Sequence, residues 1–170
     1  MATITSTLEP KAHKQNPHIG LPAKYCSEMS AELSTLLAST YQLLIKSHVF
    51  HWNVVGPLFK PIHELLEDHY NELFKATDTI AERIRTLGQL APVKFRDISD
   101  FAPKPVDVNQ LSANAMITDL IDDHQQAVKN LREVSILAGK SDDKVTEDML
   151  TARLTFHEKA LWMLGALVTQ

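Results

Sequence analysis

The segment HWNVVGPLFKPIHELLEDHYNELFKATDTIAERI, residues 51–84, determines the fold and most of the chemistry of this chain. Its apolar residues recur at the spacing of one helix face, namely Ile62, Leu66, Leu73, Ile80 and Ile84. Four residues of metal-binding types lie beside this stripe in a sector about 100° wide. They form two pairs, His63 with Glu67 and Asp78 with Glu82, and each pair is four residues apart, so each can chelate a metal.

The two pairs are too far apart to share a metal within one helix. His63 and Asp78 are separated by about 22 Å at 1.5 Å per residue, whereas metal–ligand bonds are about 2.0–2.2 Å long. If a second copy packs antiparallel about a two-fold axis near residues 71–73, the first pair of one chain meets the second pair of the other. The spacing therefore predicts a homodimer with two identical shared sites, to which His51 adds a fifth ligand.

The bulk composition is typical of one globular domain. The chain has 170 residues, 44% of them hydrophobic, and a net charge of -4, which argues against a surface that grips nucleic acid everywhere. Cys26 is the only cysteine, so no internal disulfide can form and a reducing compartment is expected. No secretory signal and no apolar run of the ~18 residues that a membrane span needs is recognised. We expect a cytoplasmic protein without a membrane partner.

The pattern of breakers and periodic segments predicts a flexible tail over residues 1–23 and one bundle domain over residues 24–168. Helical spacing predicts four helices, over about 25–53, 61–88, 112–138 and 142–168, with Ser112 capping the third and Ser141 or Asp142 the fourth. Residues 89–111 are rich in proline and predict a long crossover with a short extra helix. An all-α, ferritin-like four-helix bundle fits one long crossover between two hairpins.

The stretch KSHVFHWNVVGPLFKPIHELLEDHYNELF at 46–74, with DTIAERIRTLG at 78–88, resembles the Dps proteins, or mini-ferritins. The specific features are the pair His51 and Trp52, a histidine twelve residues later with a carboxylate four beyond it, and the DxxxER run. DHQQAVKNLRE at 123–133 and TEDMLTARLTFHEKALWML at 146–164 are also similar to the family, so the resemblance covers about residues 25–168. It implies a dodecameric shell built from two-fold dimers, ferroxidase sites at the dimer interfaces, stored ferric mineral, and hydrogen peroxide as the favoured oxidant.

The ligand types agree with iron chemistry. Imidazole and carboxylate ligands without a thiolate suit Fe(II), and carboxylates help to retain the harder Fe(III) product. Zinc or another divalent metal can occupy the same site, and a zinc hydrolase is one alternative, although no general base accompanies the ligands. The Glu-x-x-His pairs of single-subunit di-iron bundles are absent at the needed positions. Asp78 and Glu82 also have a simpler interpretation as surface partners of Lys75 or Arg83.

Several other residues have both a functional and a structural interpretation. Trp52 either packs beside the site or scavenges radicals. The acids Asp142, Asp143 and Glu147 either complement a helix dipole or, around a three-fold axis of a shell, line a pore through which iron enters. His48 is interpreted as an extra polar residue and His69 as a core or interface residue. His124 and His157 are predicted to be structural. Trp162, which has apolar neighbours in sequence, is predicted to be packed.

The N-terminal segment suggests an alternative function, namely binding and compaction of nucleoid DNA. Lys11, Lys14 and Lys24 outnumber Glu9 there, and twelve copies in a shell would multiply the small positive excess. Binding of this kind releases counterions and is strongly dependent on salt. In that case DNA would be a partner and iron oxidation would be secondary.

Overall fold

The computed structural model of the chain describes residues 11–92 and 111–168, and all regular structure in these ranges is helical. The helices are α1 (Ala23–Asn53), α2 (Phe59–Thr86), α3 (Ala113–Lys140) and α4 (Lys144–Val168). These bounds confirm the four predicted helices to within a few residues. The extra helix predicted in the crossover falls largely on residues 93–110, outside the described residues.

The four helices form two hairpins that close into a bundle. α1 packs along α2 and α3 along α4, while α1 also contacts α3 and α2 contacts α4. One apolar cluster fills the end of the bundle around Leu33, Ile84 and Leu150, and a second fills the other end around Phe50 and Leu66. No helix in the described ranges has the length and apolar character needed to cross a membrane.

Buried polar side chains lie at mid-height on three of the helices. His69, His124 and His157 are buried, and the Nδ1 atoms of His124 and His157 are 2.9 Å apart, so one ring donates a hydrogen bond to the other. Burial lowers the pKa of His69 to about 4 and that of His157 to about 3, and these rings are neutral near pH 7. The three histidines are core residues, as predicted.

The ends of the helices follow local chemistry. The Ser112 hydroxyl accepts a hydrogen bond from the Ala115 N–H at 3.1 Å and caps α3, as predicted. Gly88 ends α2 with φ +83, a left-handed conformation that favours glycine. The predicted cap of α4 was wrong, because Asp143, and not Ser141 or Asp142, accepts the Thr146 N–H at 3.0 Å.

Residues 11–22 are not helical, and part of this stretch lies against the end of α2. The Gln15 N–H donates to the Gly88 carbonyl at 2.8 Å, and a Cβ atom at residue 88 would lie 2.2 Å from the Gln15 carbonyl oxygen. The Arg85 guanidinium also reaches the His13 carbonyl at 3.5 Å. The described part of the N-terminal segment therefore has contacts with the bundle, and flexibility of the tail stays a prediction.

The prediction that Trp162 is packed was wrong for the single chain. Its side chain is 72% exposed, although the residue lies within α4 as the sequence predicts. Helical periodicity identifies the helix but does not say which of its large residues faces the core of the same chain.

Asp143 is the most heavily bonded side chain at the turn between α3 and α4. It is 2% exposed, and its carboxylate accepts hydrogen bonds from Arg83 at 2.7 Å, Tyr25 at 2.9 Å and both the N–H and the hydroxyl of Thr146. Burial by itself would raise the pKa of Asp143, but these hydrogen bonds outweigh it and lower the pKa. The carboxylate joins α1, α2 and α4.

We expect Asp143→Asn to lower the free energy of unfolding by about 3 kcal/mol, because it leaves the Arg83 charge without its partner. Asp142→Asn is the matched control, since Asp142 is exposed and its left-handed backbone suits asparagine. Urea unfolding of the iron-free protein measures the free energy of unfolding of both variants. The stabilisation by Asp143 is present above the unfolded pKa of about 3.9 and is lost as the pH falls through the lower folded value. Equal stability of the two variants would contradict this role.

Candidate metal centre

His51 and His63 meet where the last turn of α1 lies against the first turns of α2. Their rings stack with centroids 3.7 Å apart and an angle of 18°. The Nδ1 atom of each ring is 2.8 Å from the backbone carbonyl oxygen of the other residue. A carbonyl oxygen only accepts, so each Nδ1 carries the proton and donates. With Nδ1 as the donor, Nε2 is the atom of each ring that can offer a lone pair to a metal.

The three predicted carboxylate ligands are exposed along α2. Glu67 is one turn beyond His63, while Asp78 and Glu82 lie nearer the other end of the helix. The simpler interpretation of Asp78 and Glu82 required Lys75 or Arg83 as partners. Lys75 instead pairs with Glu72 at 2.8 Å, and Arg83 pairs with Asp143 at 2.7 Å. The cations nearest in sequence are thus bound to other acids.

The five predicted ligands do not all come together within one chain. Among the described residues, no group of three or more histidine, cysteine, aspartate or glutamate side chains is arranged to hold a metal ion. The structure places His51, at the end of α1, against His63 on α2. Asp78 and Glu82 lie farther along α2. This division is what the sequence spacing requires of a single subunit, and completion of the site by a second copy stays a prediction.

Large apolar side chains are exposed around the two histidines and along α2. Trp52 is 62% exposed and Phe74 is 65% exposed, and Val55, Leu58 and Phe59 are also exposed. Exposed apolar patches of this kind usually mark a surface that another molecule covers. These side chains lie on the two helices that carry the predicted ligands and on the turn between them.

An aromatic cluster adjoins His51. His48 packs against Trp52 with ring centroids 4.2 Å apart and stacks on Tyr70 at 4.3 Å, and Tyr70 meets His51 edge-on at 5.2 Å. Sequence analysis did not identify Tyr70, although its position seven residues after His63 places it on the same helix face. The cluster fixes the orientation of the His51 ring by packing on it.

The three acids predicted to line a pore differ in their surroundings. Asp143 is buried and all its hydrogen bonds are internal, so it is a helix cap and not a lining residue. Glu147 pairs with Lys144 at 3.0 Å, and exposed Asp142 lies 3.9 Å from the same ammonium group. The pore therefore stays a prediction for Asp142 and Glu147 only, and Lys144 weakens the field they can produce.

Comparison with known proteins gives consistent matches over most of the chain. A family model for the ferritin-like domain matches residues 30–170. An uncharacterized low temperature-induced protein of Nostoc sp. is 35% identical over 153 residues, which is 89% of this chain and 86% of that protein. A DNA protection during starvation protein of Brevibacillus brevis is 34% identical over 134 residues, or 79% of this chain and 90% of that protein.

Solved structures agree with these matches. The crystal structure of the Dps protein of Vibrio cholerae O1, described as a member of a broad superfamily of ferritin-like diiron-carboxylate proteins, superposes with a TM-score of 0.82. Its sequence is 26% identical, and the match covers 94% of this chain and 100% of that one. The bundle is thus similar in fold to this solved protein.

We expect the two Nε2 atoms to bind the metal. His63→Ala should weaken binding of Zn(II), a probe that cannot be oxidised, by about ten-fold or more, because it removes one ligand and the ring that stacks on His51. His48→Ala is the matched control, since its ring lies in the neighbouring aromatic cluster. Calorimetric titration of the iron-free assembled protein with Zn(II) measures the affinity of both variants. Equal weakening by the two substitutions would contradict the assignment.

Proposed function

This chain belongs to the ferritin-like family, in its Dps branch, and from that membership we propose that it oxidises Fe(II) and stores the ferric product in a shell of twelve subunits. The observation that carries the proposal is the reciprocal His51–His63 pair, which prepares two imidazole ligands beside exposed carboxylates. Hydrogen peroxide is the proposed oxidant. It takes two electrons, one from each of two ferrous ions, so the reaction removes both reagents that together cause oxidative damage.

The ligand set supports iron as the substrate. His51 and His63 supply nitrogen, and Glu67, Asp78 and Glu82 supply carboxylate oxygen, which suits both ferrous and ferric iron. Zinc fits the same ligands and is expected to compete with iron. The carboxylates also favour the ferric product, because they are hard, charged ligands.

A two-fold axis through the middle of α2 would complete the site. The mean of positions 63 and 82 is 72.5, and the mean of 67 and 78 is also 72.5, so antiparallel packing of two α2 helices places both ligand pairs opposite each other. Phe74 is exposed beside this midpoint, and Trp52 is exposed beside the histidines. Burial of these side chains would drive the association.

Mixed assemblies test whether two chains share the site. Subunits with His63→Ala and subunits with Asp78→Ala should each be inactive as ferroxidases by themselves. When the two are unfolded together and reassembled, mixed dimers contain one site with all five ligands and one site that lacks two. We expect about half of the parent activity per mixed dimer. Stopped-flow oxidation of Fe(II) by peroxide measures it.

The control is a mixture of the same two proteins that is not allowed to exchange subunits. It should stay inactive, since every dimer then carries the same defect twice. If mixed dimers, identified by mass spectrometry, show no activity, the ligands belong to one chain and the proposed site is wrong.

DNA binding is a second candidate function, favoured by the exposed cations of the N-terminal segment. Lys11 and Lys14 are exposed and have no ion-pair partner among the described residues, whereas Lys24 is 3.7 Å from Glu28. Relatives named DNA protection during starvation proteins support this proposal. If such tails are clustered on a shell, several of them would bind the phosphates of one DNA molecule at the same time.

We expect a chain beginning at Pro22, or one with Lys11→Gln and Lys14→Gln, to lose most of its retardation of plasmid DNA at low salt. Loss of phosphate contacts and of counterion release is the physical reason. The matched control is Lys60→Gln, which removes an exposed cation outside the tail. The electrophoretic mobility of plasmid DNA at two salt concentrations measures the retardation by each variant. Equal retardation by the parent and the tail variants would exclude the tail as the DNA-binding element.

A further inference from the structure

His124 on α3 and His157 on α4 face each other inside the bundle, between its two apolar clusters. Their Nδ1 atoms are 2.9 Å apart. His124 has no exposed surface and His157 is 3% exposed. Neither residue belongs to the proposed metal centre. One hydrogen bond between two buried rings therefore ties α3 to α4 in the middle of the core.

The pair holds its hydrogen bond in only one arrangement of protons. A bond between two Nδ1 atoms needs one ring with a proton at Nδ1 and one ring without. The Nε2 atom of His124 is buried and has no hydrogen-bond partner among the described residues. A proton there would be a buried donor without an acceptor, which is costly. The neutral pair is therefore best satisfied when His124 donates from Nδ1 and His157 accepts.

The cationic and titratable neighbours of the pair oppose the uptake of a proton. Arg153 lies one turn before His157 on α4, and His69 on α2 meets His124 edge-on with ring centroids 5.6 Å apart. Burial, and then His157, His69 and Arg153, lower the pKa of His124 well below its usual range. Burial, and then Arg153 and His69, lower the pKa of His157 to about 3.

The acids that face this part of the bundle have partners of their own. Asp123 on α3 lines a cavity beside the pair and lies 2.6 Å from the Lys46 ammonium of α1. Glu72 on α2, the acid that acts on Arg153, is paired with Lys75 at 2.8 Å. In the described part of the chain, a proton added to either ring therefore has no carboxylate in hydrogen-bond contact. The other charged groups near the cluster act on His69, and they are one acid and one cation: Asp68 and Lys159.

We propose that the hydrogen bond between His124 and His157 is an acid-sensitive latch that holds α3 to α4. A first added proton keeps the bond only if it occupies Nε2 of His124, and it then charges a ring that has no exposed surface. A second proton must occupy Nδ1 of His157, where two N–H groups would face each other across 2.9 Å. Acid therefore weakens the α3–α4 hairpin at its centre. The latch lies within one subunit and does not depend on the proposed iron chemistry.

The pH window follows from the direction of the pKa shifts. Histidine in the unfolded chain has a pKa of about 6.5, so in acid the unfolded chain binds protons that the folded pair excludes. The stabilisation is complete above this pH and is lost as the pH falls towards the folded pKa, about 3 for His157. Between pH 8 and pH 5, His157 alone should raise the unfolding constant about 30-fold. The contribution of Asp143 is largely retained at pH 5, because an unfolded aspartate has a pKa of about 3.9.

Thermal unfolding of the iron-free assembled protein at pH 8 and pH 5 tests the latch. We expect Tm of the parent to fall by about 4–8 °C or more, which corresponds to the 30-fold change in a domain of this size. The double variant His124→Leu with His157→Leu replaces both partners by apolar side chains and should keep most of its Tm. His13→Gln with His18→Asn is the matched control, since it removes two exposed histidines and should follow the parent. Asparagine suits the left-handed backbone at residue 18.

Nitrogen NMR of the parent with labelled histidine rings gives a second measurement that needs no substitution in the core. One N–H···N pair should be visible, and its rings should keep the shifts of neutral imidazole at pH 5, where exposed histidines are charged. This titration decides the question if the leucine variant does not assemble. The proposal is overturned if both rings of the pair titrate near pH 6.5, or if the leucine variant loses as much Tm as the parent. Loss of the pH dependence in the control variant would also overturn it.

Discussion

The two hydrogen bonds between His51 and His63 connect the fold to the candidate chemistry. Each ring donates from Nδ1 to the backbone of the other residue, so the end of α1 and the start of α2 are joined where the chain turns between them. The same bonds fix the tautomer of both rings and direct the other nitrogen of each away from the backbone. The hairpin and the pair of proposed metal-binding atoms are therefore one structural unit, and each depends on the other.

Much of this arrangement can be predicted from the sequence, for identifiable reasons. The four helices follow from apolar periodicity, and the proposed chelating pairs rest on a spacing of four residues. The ring stacking of His51 and His63 does not follow from periodicity, because it depends on how residues 54–58 turn. The cap of α4 was misassigned because Ser141, Asp142 and Asp143 are all good caps, and only Arg83 and Tyr25, from distant helices, select Asp143.

Helical patterns also do not distinguish a face that packs within the chain from one that packs against a neighbour. Trp162 is exposed in the single chain although its sequence neighbours suggest a packed residue, and Trp52, predicted to pack at the site or to scavenge radicals, is exposed as well. Arg153 shows the reverse case, since an arginine in an amphipathic helix is usually assigned to the surface but here lies partly inside the bundle. Its position at mid-height, near three buried histidines, makes the centre of the bundle more polar than its two apolar ends.

The contact between Gln15 and Gly88 sets the reach of the N-terminal arm. If the arm were free up to the first residue of α1, it would include residues 15–22, which could extend roughly 27 Å. Because residue 15 is held at the end of α2, this length does not add to the reach of the residues before it. A β-carbon at position 88 would overlap the Gln15 carbonyl, so a glycine far from the N-terminus in sequence controls how far that terminus can extend.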